Sequence, residues 1–156
     1  MYLGRIGEVL NRPRIMDARK IALVQESFEK IASLGTEMAD IFYAELFAID
    51  PSLRAMFIGD MRDQNRKLFA ALNYIVRSLH APHQFLINVE DLAKKHVDYG
   101  VRPEHYTYVG NALLRTLKRQ LGPRFTAELC DAWTEAFKAI AKIMKEAAYV
   151  QNRGAA

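Results

Sequence analysis

A single cysteine, Cys130, leaves the chain with no intrachain disulfide, which suits a reducing compartment. Long uncharged runs are missing too. The longest stretch free of Asp, Glu, Lys and Arg is Ser78 to Val89. It holds two histidines and a proline and falls well short of the roughly 18 apolar residues a membrane helix needs. No Asn-Gly or Asp-Gly pair marks a β-hairpin, and no segment sustains apolar/polar alternation. The glycine-rich phosphate loop, the GxSxG elbow and the CxxC pair are all absent, which removes the common signatures of nucleotide, serine-hydrolase and dithiol chemistry. The start, Met1 to Arg5, lacks an apolar run followed by a small-residue cleavage site, so no signal peptide and a cytoplasmic location are expected.

What remains is the composition of an ordinary folded domain: 156 residues, 51% hydrophobic and 26% charged. That length supports one sizeable core. The chain as given is expected to carry no fused reductase, kinase or other second catalytic domain. A net charge of +4 invites a nucleic-acid reading. Residues 1–20, however, hold five basic and two acidic residues, a surplus of +3 that leaves only +1 for the rest. The body is therefore nearly neutral and carries no groove-reading stripe. The basic leader reads as a solvated arm.

Helical periodicity runs through the whole chain. Leu3, Ile6, Val9 and Leu10 allow a short amphipathic helix before Arg12-Pro13-Arg14. Asp17 is a plausible cap for a helix whose stripe is Ile21, Val24, Phe28 and Ile31. Gly35 breaks it, and a third helix with Met38, Phe42, Tyr43, Leu46 and Phe47 runs to about Ile49. Asp50-Pro51 starts a short helix, and Gly59 marks a corner. From about Asp60 the stripe is Leu68, Ala71, Leu72, Ile75, Val76 and Leu79. From about Gln84 to Tyr99 it is Val89, Leu92 and His96. Pro103 opens the next helix, Thr126 can cap the last, and residues 151–156 are expected to fray. The expectation is an all-α domain of seven or eight helices over residues 16–150, preceded by a short extension, residues 1–15.

His96 shares the inward face with Val89 and Leu92, spaced at i, i+3 and i+7. An imidazole there is either a core histidine bonded to a carbonyl or an axial ligand to haem iron. Tyr43 lies beside Phe42 and Phe47, and Gln64 precedes Leu68 by one turn. Each reads alone as a satisfied core or helix-start residue; together they would place two donors in one apolar cavity. His80 and His83 flank Pro82 with no cysteine or carboxylate to complete a zinc site. Cys130 reads as an inert packing residue.

Three stretches decide between these alternatives. Leu92-Ala93-Lys94-Lys95-His96-Val97-Asp98-Tyr99-Gly100-Val101 followed by His105-Tyr106 resembles the proximal region of bacterial haemoglobins and flavohaemoglobin globin domains. Phe42-Tyr43-Ala44-Glu45-Leu46-Phe47 with Asp50-Pro51 to Phe57, and Leu121-Gly122-Pro123 with Ala132-Trp133, agree in order and spacing. The resemblance covers about residues 16–148 and implies a globin fold around haem b (iron protoporphyrin IX). It makes His96 the proximal iron ligand and Phe57 the wedge against the haem at a corner. It assigns Tyr43 and Gln64 as distal donors to bound dioxygen, with Leu68 as an apolar wall. Phe42, Leu92, Val101, Val109 and Phe137 would pack on the porphyrin, and Lys67 and Lys95 would lie near its edge.

The resemblance also implies a function: dioxygen bound tightly at ferrous iron, and nitric oxide dioxygenation sustained by an electron-donating reductase. Storage, delivery or sensing of dioxygen without turnover is the alternative. Neither nucleic acid nor a membrane span is expected, and a homodimer is compatible. One departure stands out. Flavohaemoglobins place a Tyr and a Glu behind the proximal His to raise its basicity. Tyr106 matches that Tyr, but the Glu position is Ala148. Glu146 lies two residues away, about 200° around a helix.

Overall fold

The computed structural model describes residues 15–35 and 37–154, with side chains to Ala148. The predicted helix at residues 3–11 lies outside them. Six α-helices and two short 3-10 segments make up the described chain: α1 (Ala18–Ala32), α2 (Glu37–Ile49), a 3-10 turn (Pro51–Met56), α3 (Met61–Arg77), α4 (Pro82–Asp98), α5 (Pro103–Leu121), a second turn (Gly122–Arg124) and α6 (Ala127–Gly154). No strand occurs among the described residues, as the missing alternation requires.

The helix ends follow from local chemistry. The Asp17 carboxylate accepts the Lys20 N–H at 2.9 Å, and the Thr126 hydroxyl accepts the Leu129 N–H at 3.2 Å. These bonds satisfy donors that a first helical turn leaves free. Asp60 caps α3 in the same way through Arg62. α4 begins two residues before the expected Gln84, because Pro82 fits a first turn, where its missing N–H costs nothing. It stops before Gly100, whose φ of +72° lies in the left-handed region. α6 runs on to Gly154, past residue 150 where fraying was expected.

Amphipathic faces set the packing. α2 packs on α5, α6 lies against α1 and α4, and α3 touches α1, α2 and α4. The core joins Val24, Phe28 and Ile31 of α1 to Met38 and Leu46 of α2, Val89 of α4, Leu117 of α5 and Trp133 of α6. Trp133 buries its indole and donates to the Ser27 hydroxyl at 2.9 Å; that hydroxyl donates onward to the Val24 carbonyl at 3.0 Å. A buried polar group is thereby satisfied at each step. Arg19–Glu128 and Lys20–Glu135, both at 2.5 Å, tie α1 to α6 at the surface.

At Gly110 of α5 the backbone lies close against the Phe137 side chain of α6. A Cβ built there would lie 2.6 Å from the Phe137 ring. Gly110→Ala should therefore destabilise the fold by about 1–3 kcal/mol. Phe137→Leu in the same chain should recover much of that loss, measured by denaturant unfolding of the two singles and the double. Additive losses would show that the contact is not the cause.

Candidate functional site

His96 sits on α4 beside the core-facing row rather than in it. Phe85, Val89 and Ala93 are fully buried, while Leu92 and His96 are half-buried one residue away on the cylinder. The His96 Nδ1–H donates to the Leu92 carbonyl at 2.9 Å, one turn earlier. A carbonyl only accepts, so this bond places the proton on Nδ1 and leaves the Nε2 lone pair available. Burial lowers the His96 pKa, partly offset by the Leu92 hydrogen bond. Burial thus favours the neutral, ligating form of the ring.

Tyr43, 8% exposed, is packed among aromatics. Its ring meets Phe42 and Phe57 edge-on, both at 5.2 Å, and stacks on Phe47 at 5.9 Å. Its hydroxyl donates a long 3.5 Å bond to the Gln64 backbone carbonyl. The structure thus brings Tyr43 and Gln64 together, but through main chain; the Gln64 carboxamide bonds nothing among the described residues. Burial pushes the Tyr43 phenol up to about 12, so it stays a protonated donor at ordinary pH.

The remaining candidates fall into groups. Phe42 is buried. Phe57, Leu68, Leu92, Tyr106, Val109 and Phe137 are half-buried and packed against the core. Val101 is half-buried, and Lys67 and Lys95 are exposed. Ala148 is half-buried and Glu146 exposed. In place of a carboxylate, the Lys145 ammonium lies over the Tyr106 ring, 5.4 Å from its centre. His83 is exposed as expected. His80 is exposed too, but its Nδ1 lies 3.1 Å from Gln25 Nε2.

Sequence reasoning missed Asn65. Its side chain is buried and donates to the Asp40 carboxylate of α2 at 2.5 Å, pinning the start of α3 next to Gln64. A polar residue one step from Gln64 gave no periodic signal for this. The donor set also constrains what could bind. No group of three or more His, Cys, Asp or Glu able to hold a metal exists among the described residues. One neutral imidazole amid apolar side chains therefore fits a metal that brings its remaining ligands with it, as porphyrin iron does.

An all-α fold carrying a half-buried imidazole whose Nε2 makes no hydrogen bond among the described residues is compatible with a haem-binding helical protein. The chain belongs to the globin family, whose profile matches residues 40–144. A flavohemoprotein of Xylella fastidiosa is 32% identical over 137 residues, spanning 86% of this chain and 34% of its own length. One from Bordetella pertussis is 33% identical over 126 residues, spanning 79% and 31%. The chain thus spans about one third of the curated relatives it matches. An engineered carbene transferase named as a nitric oxide dioxygenase of Rhodothermus marinus superposes with a TM-score of 0.79 at 27% identity, covering 90% of this chain and 99% of that one. Membership in the globin family implies a haem site.

His96→Ala should keep the helical circular dichroism but lose the ferrous-deoxy spectrum of histidine-ligated haem. An unchanged deoxy spectrum in that variant would remove His96 from the ligand role.

Proposed function

We propose that the chain is a haem b globin that binds dioxygen at ferrous iron with high affinity and supports nitric oxide dioxygenation with electrons from an external reductase. When bound, haem would supply a ferrous centre for dioxygen and the redox chemistry that turns nitric oxide into nitrate, with the electron returned to iron by the reductase. The chain's residues supply the rest. His96 holds the metal through Nε2 while the Leu92 carbonyl fixes its ring. Phe57 wedges the cofactor, and Phe42, Leu92, Val101, Val109 and Phe137 pack against it. Lys67 and Lys95, both exposed, suit the carboxylates at its edge. Leu68 and the aromatic cluster exclude water.

The observation that carries this reading is the Tyr43 hydroxyl: buried, protonated, and committed only to a long bond with a backbone carbonyl. A phenol so placed can turn its hydrogen bond to a ligand that gains partial negative charge. In a dry setting such a bond holds far better than in water. The Gln64 carboxamide is the second donor, longer and freer. Tyr43→Phe should therefore speed dioxygen release by roughly tenfold to a hundredfold, the loss of about 1–3 kcal/mol for a bond removed from a dry site. Gln64→Leu should do less. Stopped-flow dissociation traces measure both, and rates within about twofold of the parent would take both residues away from the ligand. Nitrate formation sustained by a reductase separates turnover from mere storage or sensing.

Ala148 and Lys145 favour one qualification of that activity. A carboxylate joined to Tyr106 would push electron density through His96 toward the metal and favour oxygen–oxygen cleavage. Here a cation faces Tyr106 instead. Peroxidase-type activity should therefore be weak. Nitric oxide dioxygenation would depend less on that push. Ala148→Glu should raise the iron–histidine stretching frequency in the resonance Raman spectrum of the deoxy form. A frequency already high in the unmodified protein would mean that another acid, such as Glu146, reaches the site.

A further inference from the structure

The middle of α6 and the facing side of α5 enclose a half-open groove of about 480 Å³. Its floor is apolar: Gly110, Leu113, Phe137 and Ala141, with Leu114 on one wall. Lys138, Lys142 and Lys145 run along one rim, separated by four and three residues. That spacing puts them on one face of α6 over about 10 Å. All three are exposed. None is ion-paired among the described residues, whereas two of the three acids nearer the start of the same helix, Glu128 and Glu135, are taken by Arg19 and Lys20. Lys145 is engaged by the Tyr106 ring, which leaves Lys138 and Lys142, one turn apart, facing solvent. Glu146 is the one acid lining the groove.

We propose that this groove binds a free medium-chain fatty carboxylate. Its hydrocarbon lies along Leu113, Leu114 and Ala141, and its carboxylate sits between Lys138 and Lys142. The volume falls within the range of about 300–1,000 Å³ typical of small-molecule sites, which are mostly apolar with few charged groups at defined places. A small inorganic anion would leave the floor without a partner. A polyanion such as nucleic acid would find one short cationic rim over an apolar hollow. An amphiphile with one anionic end satisfies both, because apolar burial supplies the affinity and the lysine pair selects the charge.

Isothermal titration of the full chain with octanoate, decanoate and dodecanoate below their micelle concentrations tests this, with decanol as the uncharged control. Binding should saturate at one site and strengthen by up to about fourfold per added methylene until the groove is filled. Replacing both lysines, Lys138→Glu with Lys142→Glu, should weaken decanoate at least about tenfold and leave decanol unchanged. Ala141→Phe, which fills the floor, should weaken both. The two lysines are at the surface, so their variant keeps the fold, and circular dichroism checks this. An unaltered Soret band in that variant keeps a failure here distinct from a failure of the haem reading. Non-saturating uptake, binding indifferent to the lysine variant, or association only with sedimenting phosphatidylglycerol vesicles would overturn the proposal.

Discussion

The bond from His96 Nδ1–H to the Leu92 carbonyl, 2.9 Å long, fixes what the ring can do. It orients the imidazole, selects its tautomer and directs the Nε2 lone pair outward from α4. That bond in turn depends on how α4 is rotated. Phe85, Val89 and Ala93 are locked into the core, and α4 is held between α6 and α3. A slip of one residue would turn the helix by about 100° and present Lys95 or Val97 where His96 now faces. The core row therefore acts as the register mark for the ring, and Gly100 ends the helix one turn beyond it.

A different kind of constraint acts on the aromatic cluster of α2. Tyr43 is held by shape, its ring caught among Phe42, Phe47 and Phe57. Aromatic contacts of this geometry add about 0.5–1.5 kcal/mol per pair beyond buried area. The hydroxyl, by contrast, is held weakly. That is a useful division, because a rigid ring with a loosely bonded donor can change hydrogen-bond partner without moving the backbone. The Asp40–Asn65 bond keeps α3 at the distance that makes this work.

Much of this was legible in the chain because it is local. Caps at Asp17 and Thr126, stops at Gly35, Gly59 and Gly100, and the inward stripe of α3 follow from spacing and backbone sterics alone. The stripe of α4 was read slightly off. Val89, Leu92 and His96 do share a side, yet the deepest row is Phe85, Val89 and Ala93, since 3.6 residues per turn lets two adjacent rows pass as one over so short a helix. His96 was legible as a residue facing inward, and the resemblance supplied its role. Contacts between distant segments left no periodic trace. Asn65 reaching Asp40, Tyr43 meeting the Gln64 main chain rather than its side chain, and Lys145 settling over Tyr106 all require knowing how helices far apart in sequence are juxtaposed.

Charge along α6 ties these observations together. Its first half carries Glu128 and Glu135, and both are paired to α1, so the acids serve to dock the helix. Further along it carries Lys138, Lys142 and Lys145, with Glu146 beside the last of them and Ala at position 148. With Ala at position 148 and Lys145 over Tyr106, the only charge the described residues place against that phenol ring is positive.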